Sequence, residues 1–336
     1  MIRKYDTVDL LKFIGSILVF TMHLSLFMDT DIDLAIQISA RWCVPFFFII
    51  SSFFLFKNSD KGRISAERLS GYVKRILFLY IAWFIVNIPS IIYTRIITKG
   101  IFSFATYLNF IKGALLTSTF TGSWYLMGSV FSAVLIYLLS KRFSNRFILL
   151  FTFPLYLVCV ATSVYGNILP KAVSAILMNT LCFPLNIFGG CFYFAVGKHL
   201  ADNYVKFKGL SKFKAFLFFA VSFAAYCVEV ILAKRTNLLS TTDFAFSSVL
   251  YGFAFVLFGI TLNINIKNGI VLRKASTIIY CAQGNVILLS NVIKKGLNIQ
   301  NDILRYILIL FLMSGIVAFV LILQKKSKWK FVKYLT

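Results

Sequence analysis

DLLKFIGSILVFTMHLSLF, residues 9–27, is apolar enough to cross a bilayer, yet it carries a lysine near its start and a histidine near its end. A hydrocarbon core takes roughly 20 mostly apolar residues per helix. Ionisable groups are costly there and usually face a bundle interior or an aqueous cavity. Lys12 and His23 are eleven residues apart. At about 100° per residue they share one helix face, separated by about 16 Å along the axis. Lys12 is close enough to the interface to act as an anchor, paired with Asp9 on the same side. His23 lies deeper, among Phe20, Met22, Leu24 and Leu26. An imidazole there can take and return a proton, as general base toward a hydroxyl or as relay in a transporter. The other histidine, His199 beside Lys198, reads as an interfacial residue.

Working outward, the same ruler finds further spans. The 336 residues are 60% hydrophobic with 38 Phe, and the mean hydropathy is +0.86. Soluble domains are only about 45–50% apolar, so this is a polytopic membrane protein. Ten segments qualify, near 8–28, 36–56, 75–97, 123–140, 147–164, 180–198, 213–233, 244–262, 276–293 and 303–324. The expected fold is all-α: a bundle of about ten transmembrane helices in a single polytopic domain over 1–336, with no attached soluble domain. Residues 98–122 read as interfacial or re-entrant. Of the 35 Lys and Arg, 24 fall in the N-terminus and alternate loops and seven in the intervening ones. The positive-inside rule then places both termini in the cytoplasm. The net charge of +24 is mostly topological, though a basic rim attracts anionic lipid or a phosphorylated co-substrate. Basic residues scattered over short loops argue against nucleic acid as a partner. The six cysteines are dispersed and read as packing residues, and no metal site is expected.

Past the first span, the motifs resemble a known family. "DLLKFIGSILVFTMH" is similar to the opening of the membrane-bound acyltransferase family 3 proteins, integral-membrane O-acyltransferases, with Lys12 where the family usually has Arg. "ARWCVPFFFIISSFFLFK" (40–57) resembles its proline and double-aromatic span, with Ser51-Ser52 at the end in place of Ser-Gly. "YVKRILFLYIAWFI" (72–85) resembles its third span, where two arginines three apart are replaced by Tyr72 and Arg75. "GSWYLMGSVFSAVLIYLL" (122–139) is similar to its Trp-Tyr-Leu span. "KASTIIYCAQ" (274–283) looks like its Ser-Tyr-His segment, with Gln283 for the histidine.

The resemblance implies an acyl-CoA co-substrate, usually acetyl-CoA, and a carbohydrate or glycan hydroxyl as acceptor, in a multi-pass protein of a bacterial plasma membrane; a homodimer is left open. It makes His23 the catalytic base. Lys12, Lys74 and Arg75 would bind the donor's phosphates. Arg41 would stabilise an oxyanion or bind an acidic sugar, or else anchor at the interface. Trp124, Tyr125 and Gln283 would line the acceptor pocket, the two aromatics having an interfacial belt as their other reading. Glu229 reads as a structural partner of Lys234 or an orienter of His23, and Asn87 and Asn186 as packing groups. Two competing classes remain: a proton-coupled transporter or lipid-linked glycan flippase, for which the Pro and Gly-Gly of "CFPLNIFGGC" (182–191) speak, and a catalytically inactive membrane partner.

Overall fold

The computed structural model describes residues 5–24, 26, 30–59, 62–94, 104–262, 264–327 and 329–336; Asp29 and residues 98–103 of the expected interfacial stretch lie outside them. The described residues are helical, without a strand. In chain order the helices are α1 (Asp6–His23), α2 (Asp31–Ala40), α3 (Cys43–Phe56), α4 (Ala66–Val86), α5 (Ile88–Ile92), α6 (Phe104–Leu116), α7 (Trp124–Ser140) and α8 (Asn145–Thr162). There follow α9 (Lys171–Ile176), α10 (Cys191–Asp202), α11 (Tyr204–Lys208), α12 (Lys212–Arg235), α13 (Ser248–Thr261), α14 (Gly269–Leu297), α15 (Asp302–Lys326) and α16 (Lys330–Lys333). Several starts are dictated locally: Thr30, Ser65, Ser144, Ser211 and Asn301 each accept a backbone N–H of the first turn through the side chain. Short side-chain oxygens satisfy donors that a helix start otherwise leaves open.

Among the described residues, six helical stretches are long and apolar enough to cross a membrane: α2 with α3, then α4, α8, α12, α14 and α15. Helices α7 and α13 are apolar but shorter. Helix α1 is long enough but carries Asp6, Asp9 and Lys12. Two expected spans are redrawn. The 36–56 span lies within the continuous stretch Asp31–Phe56, whereas the 75–97 span ends at Val86 before the short α5. The 180–198 span is not one helix: a π turn over Leu177–Leu181 leads to left-handed Cys182, and α10 starts only at Cys191. Pro184, which cannot donate to a helix ladder, and Gly189-Gly190 account for that interruption.

Helix α3 is the hub. Phe46, Phe48, Ile49, Ile50 and Phe53 are fully buried. Small residues let its neighbours come close, as is usual where apolar helices pack without water to drive them together. A Cβ on Gly197 of α10 would stand 2.3 Å from the Ile49 carbonyl oxygen, and one on Gly252 of α13 would stand 2.6 Å from the Pro45 ring. The outer helices expose apolar side chains instead, including Phe213, Phe216 and Leu217 on α12 and Ile307 and Phe311 on α15. That is the surface a lipid-facing helix presents. The basic C-terminal segment, expected as a loop, folds back: Val332 and Leu335 are buried and Trp83 donates to the Leu335 carbonyl at 3.1 Å. Its apolar residues Phe331, Val332, Tyr334 and Leu335 supply the reason.

Candidate functional site

Helix α1 fixes the geometry, because α14 runs beside it in constant register. Asp9 takes both oxygens to Arg273, at 2.8 Å from Nε and 2.7 Å from Nη2. One turn on, Ser276 donates to the Lys12 carbonyl at 2.8 Å. Both pairs are 264 residues apart, so the two helices are parallel. With equal rise per residue, Ile287 is level with His23.

At the Lys12 end the expected Asp9–Lys12 pair does not form. Asp9 is buried and committed to Arg273, whose planar fork matches a carboxylate better than an ammonium does. Lys12 sits 5.6 Å from the Phe54 ring centre, and its nearest other charges are Arg273 and Arg75. Three cations therefore gather around two acids, Asp9 and, acting on Arg273, Asp6. Such a cluster keeps an excess of positive charge and suits phosphate groups. Lys74 is exposed and is not among the charges facing Lys12. Arg273, not singled out in the sequence, stands beside Lys12 with Arg75.

From Arg75 a polar thread enters the bundle. The guanidinium lies 6.0 Å from the Tyr72 ring centre, and the buried Tyr72 hydroxyl faces Ser51 and Ser129 without a hydrogen bond of good geometry. The hydroxyls of Tyr125 and Ser51 are 3.0 Å apart, and Ser129 donates to the Tyr125 carbonyl at 2.7 Å. An orphaned hydroxyl in a buried row is a place for a ligand polar atom. Tyr125 thus belongs to the interior, not to an interfacial belt.

At the other end stands a clamp. Arg41, at the junction of α2 and α3, donates from Nε to Thr242 Oγ1 at 2.8 Å, from Nη1 to Asp243 Oδ1 at 2.5 Å and from Nη2 to Gln37 Oε1 at 2.6 Å. Its side chain is only 11% exposed, so it is not a snorkelling anchor. His23 faces Arg41 and Asp243 as its charged neighbours. Its side chain is solvent-accessible, and among the described residues its ring makes no hydrogen bond. An accessible imidazole with unoccupied nitrogens is free to meet a substrate proton.

Asp243 is held from behind. Glu229 accepts from the backbone N–H of Phe246 at 2.7 Å and of Ser247 at 2.8 Å, and from the Tyr165 hydroxyl at 3.2 Å. Ser163 accepts from Phe244 N–H at 2.9 Å. Glu229 is accordingly structural, but its partner is the 244–247 turn; it forms no salt bridge with Lys234 and reaches His23 only through the position of Asp243. The Trp124 ring centre lies 6.4 Å from that of Phe244 in the same turn. The sequence therefore named Arg41 and missed Asp243, Thr242 and Gln37. A loop aspartate in "TTDF" carries no periodicity to mark it.

Gln283 is fully buried and donates to the Thr121 carbonyl at 3.2 Å, leaving its Oε1 without a partner. It is tied to the 118–123 turn, as is Tyr280, which donates to the Gly122 carbonyl at 2.9 Å. Asn87 links α4 to α14 by donating to the carbonyls of Trp83 and Cys281. Asn186 braces the break before α10.

Comparison with known proteins places this arrangement. An acyltransferase domain model, that of acyltransferase family 3, matches residues 5–323. A protein of Enterococcus faecalis named amino-acid racemase is 26% identical over 232 residues, which cover 66% of this chain and 31% of that relative. The chain thus aligns with under a third of the relative's length. No solved structure matches.

Proposed function

Since the chain belongs to acyltransferase family 3, we propose that it moves an acyl group, acetyl in the first instance, from a CoA thioester to a hydroxyl of a carbohydrate or glycan acceptor in a bacterial plasma membrane. The observation that carries this reading is the division of α1: cations without a full complement of acids at Lys12, and an accessible imidazole beside an Arg–Asp clamp at His23. Lys12, Arg75 and Arg273 bind the donor's phosphates at the mouth that the positive-inside rule places in the cytoplasm. The pantetheine arm follows the thread past Tyr72 and Ser51 toward the far end, about 16 Å along the helix.

There His23 takes the proton of the acceptor hydroxyl as its oxygen attacks the thioester carbonyl. The carbonyl π pair moves onto oxygen, where the Arg41 guanidinium supplies positive charge. Collapse expels CoA as thiolate, and the imidazolium returns the proton to sulfur. The ester is the other product. Asp243 acts through Arg41 and the imidazolium and is a positioning residue.

The test uses purified protein in detergent with radiolabelled acetyl-CoA, following loss of thioester in the wild type and in His23→Ala. General-base assistance is worth about 10²- to 10⁴-fold, and a drop of that size in a folded variant is the expected result. A folded wild type that consumes no acyl-CoA of any chain length overturns the reading. It would favour a second one, a carrier for a polar solute, for which the helix break at Leu177–Gly190 speaks. The racemase activity in the relative's name is that protein's, 69% of which lies outside the aligned segment, and none is assigned to this chain.

A further inference from the structure

The segment that leaves α15 carries different chemistry on its two faces. Five lysines, at 325, 326, 328, 330 and 333, fall within it, and no acid occurs from Lys325 to Thr336. Lys325, Lys326 and Lys333 are exposed and form no salt bridge. They stand at the end of a membrane-crossing helix, on the side that the positive-inside rule places in the cytoplasm. Clusters of about four to eight basic residues just cytoplasmic of a span recognise anionic headgroups.

The inner face is docked. Val332 and Leu335 are buried. Gln324 Nε2 donates to the Val332 carbonyl at 3.0 Å and to Thr336 Oγ1 at 2.8 Å, and Trp83 Nε1 donates to the Leu335 carbonyl at 3.1 Å. The Tyr334 ring stacks on Phe78 of α4 with centres 4.8 Å apart. Gln324 in turn accepts from Lys274 at 3.1 Å, next to Arg273, so the segment lies at the Asp9–Arg273 level and ties α4 to α14 and α15. With the inner face fixed, the outer one is fixed too. It presents Trp329, 76% exposed, with Phe331 and Tyr334 also exposed among the lysines. Aromatic rings beside ammonium groups match the headgroup region of a bilayer, apolar on one side and wet on the other.

We propose that residues 325–336 form an interfacial strap whose lysines and exposed aromatics bind anionic phospholipid, and that this binding holds the strap on Gln324 and Trp83. Two buried aliphatic side chains, one ring stack and three hydrogen bonds are little against the entropy of ordering eight residues from Trp329 to Thr336. Each lysine near an anionic surface adds about fivefold in binding. A neutral leaflet would accept the rings but leave the lysines without counter-charge. The proposal does not depend on the transferase reading.

Hydrogen exchange read by mass spectrometry tests it, on the full chain in nanodiscs of phosphatidylcholine alone and of phosphatidylcholine with phosphatidylglycerol, without acyl-CoA. The amides of Val332, Tyr334 and Leu335, which donate within the seated strap, are the reporters. Their exchange should be about fivefold or more slower with phosphatidylglycerol, at least the share of one lysine. The difference should vanish at about 1 M salt, where the Debye length is about 3 Å. It should also vanish in the triple variant Lys325→Gln, Lys326→Gln, Lys333→Gln, whose fold is verified by gel filtration and by unchanged exchange in α3. A smaller difference between the two lipids overturns the proposal, as does one that survives high salt or the triple substitution. The same slowing produced in phosphatidylcholine by inorganic phosphate alone also overturns it. The lipid and salt comparisons use the wild type, so the proposal stays exposed to refutation even if the variant does not fold.

Discussion

At the level of single residues, two charges carry most of the consequences. Asp243 neutralises Arg41 next to His23, and its side chain is 23% exposed. Asp243→Ala leaves the guanidinium with only neutral partners, an expected cost of about 1–3 kcal/mol once solvent screening is allowed for. Thermal unfolding in detergent checks it, and the turnover of acetyl-CoA should fall with it because the charge that settles an imidazolium is gone. At the opposite end, Arg75→Ala should raise the KM for acetyl-CoA about tenfold or more with little change in kcat, since a charge-assisted contact to phosphate is lost. Lys74→Ala should shift the same KM by less than about twofold, because Lys74 does not face Lys12. Lys12 and His23 were legible in the sequence because a polar side chain in an apolar run has few reasons to be there. Arg273 and Asp243 were not, because their partners lie 264 and 202 positions away, a relation that one helix's periodicity cannot report.

Among the helices, legibility followed continuity. Uninterrupted apolar runs such as α8, α12 and α15 were read to within a few residues of their ends. Those that are interrupted were not, since a transmembrane ruler measures apolar length and is blind to a break such as the one from Cys182 through Gly190. The glycines divide the same way. On Gly197 a Val would drive its methyl groups into the Ile49 carbonyl and Ser52 of α3. Overpacking of this kind costs about 1–3 kcal/mol or more, and Gly197→Val should yield less monodisperse protein with a lower unfolding temperature. Gly71, on α4, has nothing within 4 Å of its Cβ position. Gly71→Ala should be neutral or stabilising by up to about 1 kcal/mol, the helix-propensity difference.

For the whole molecule, sidedness decides where each substrate enters. Introduced into a cysteine-free background, Gly209→Cys lies in the basic turn between α11 and α12, and Asn167→Cys lies in the loop joined to Leu238 and Leu239 across the opposite end. An impermeant maleimide applied to intact cells should label position 167 and spare position 209 until the membrane is opened; the reverse pattern would invert the donor and acceptor mouths. The glycine contacts that seat α10 and α13 on α3 then acquire a further meaning. A hub gripped by backbone on one flank and by a proline ring on the other leaves α10 and α13 little room to slip along α3. On the proposed reaction, what moves within such a frame is the acyl group and not the helices that hold it.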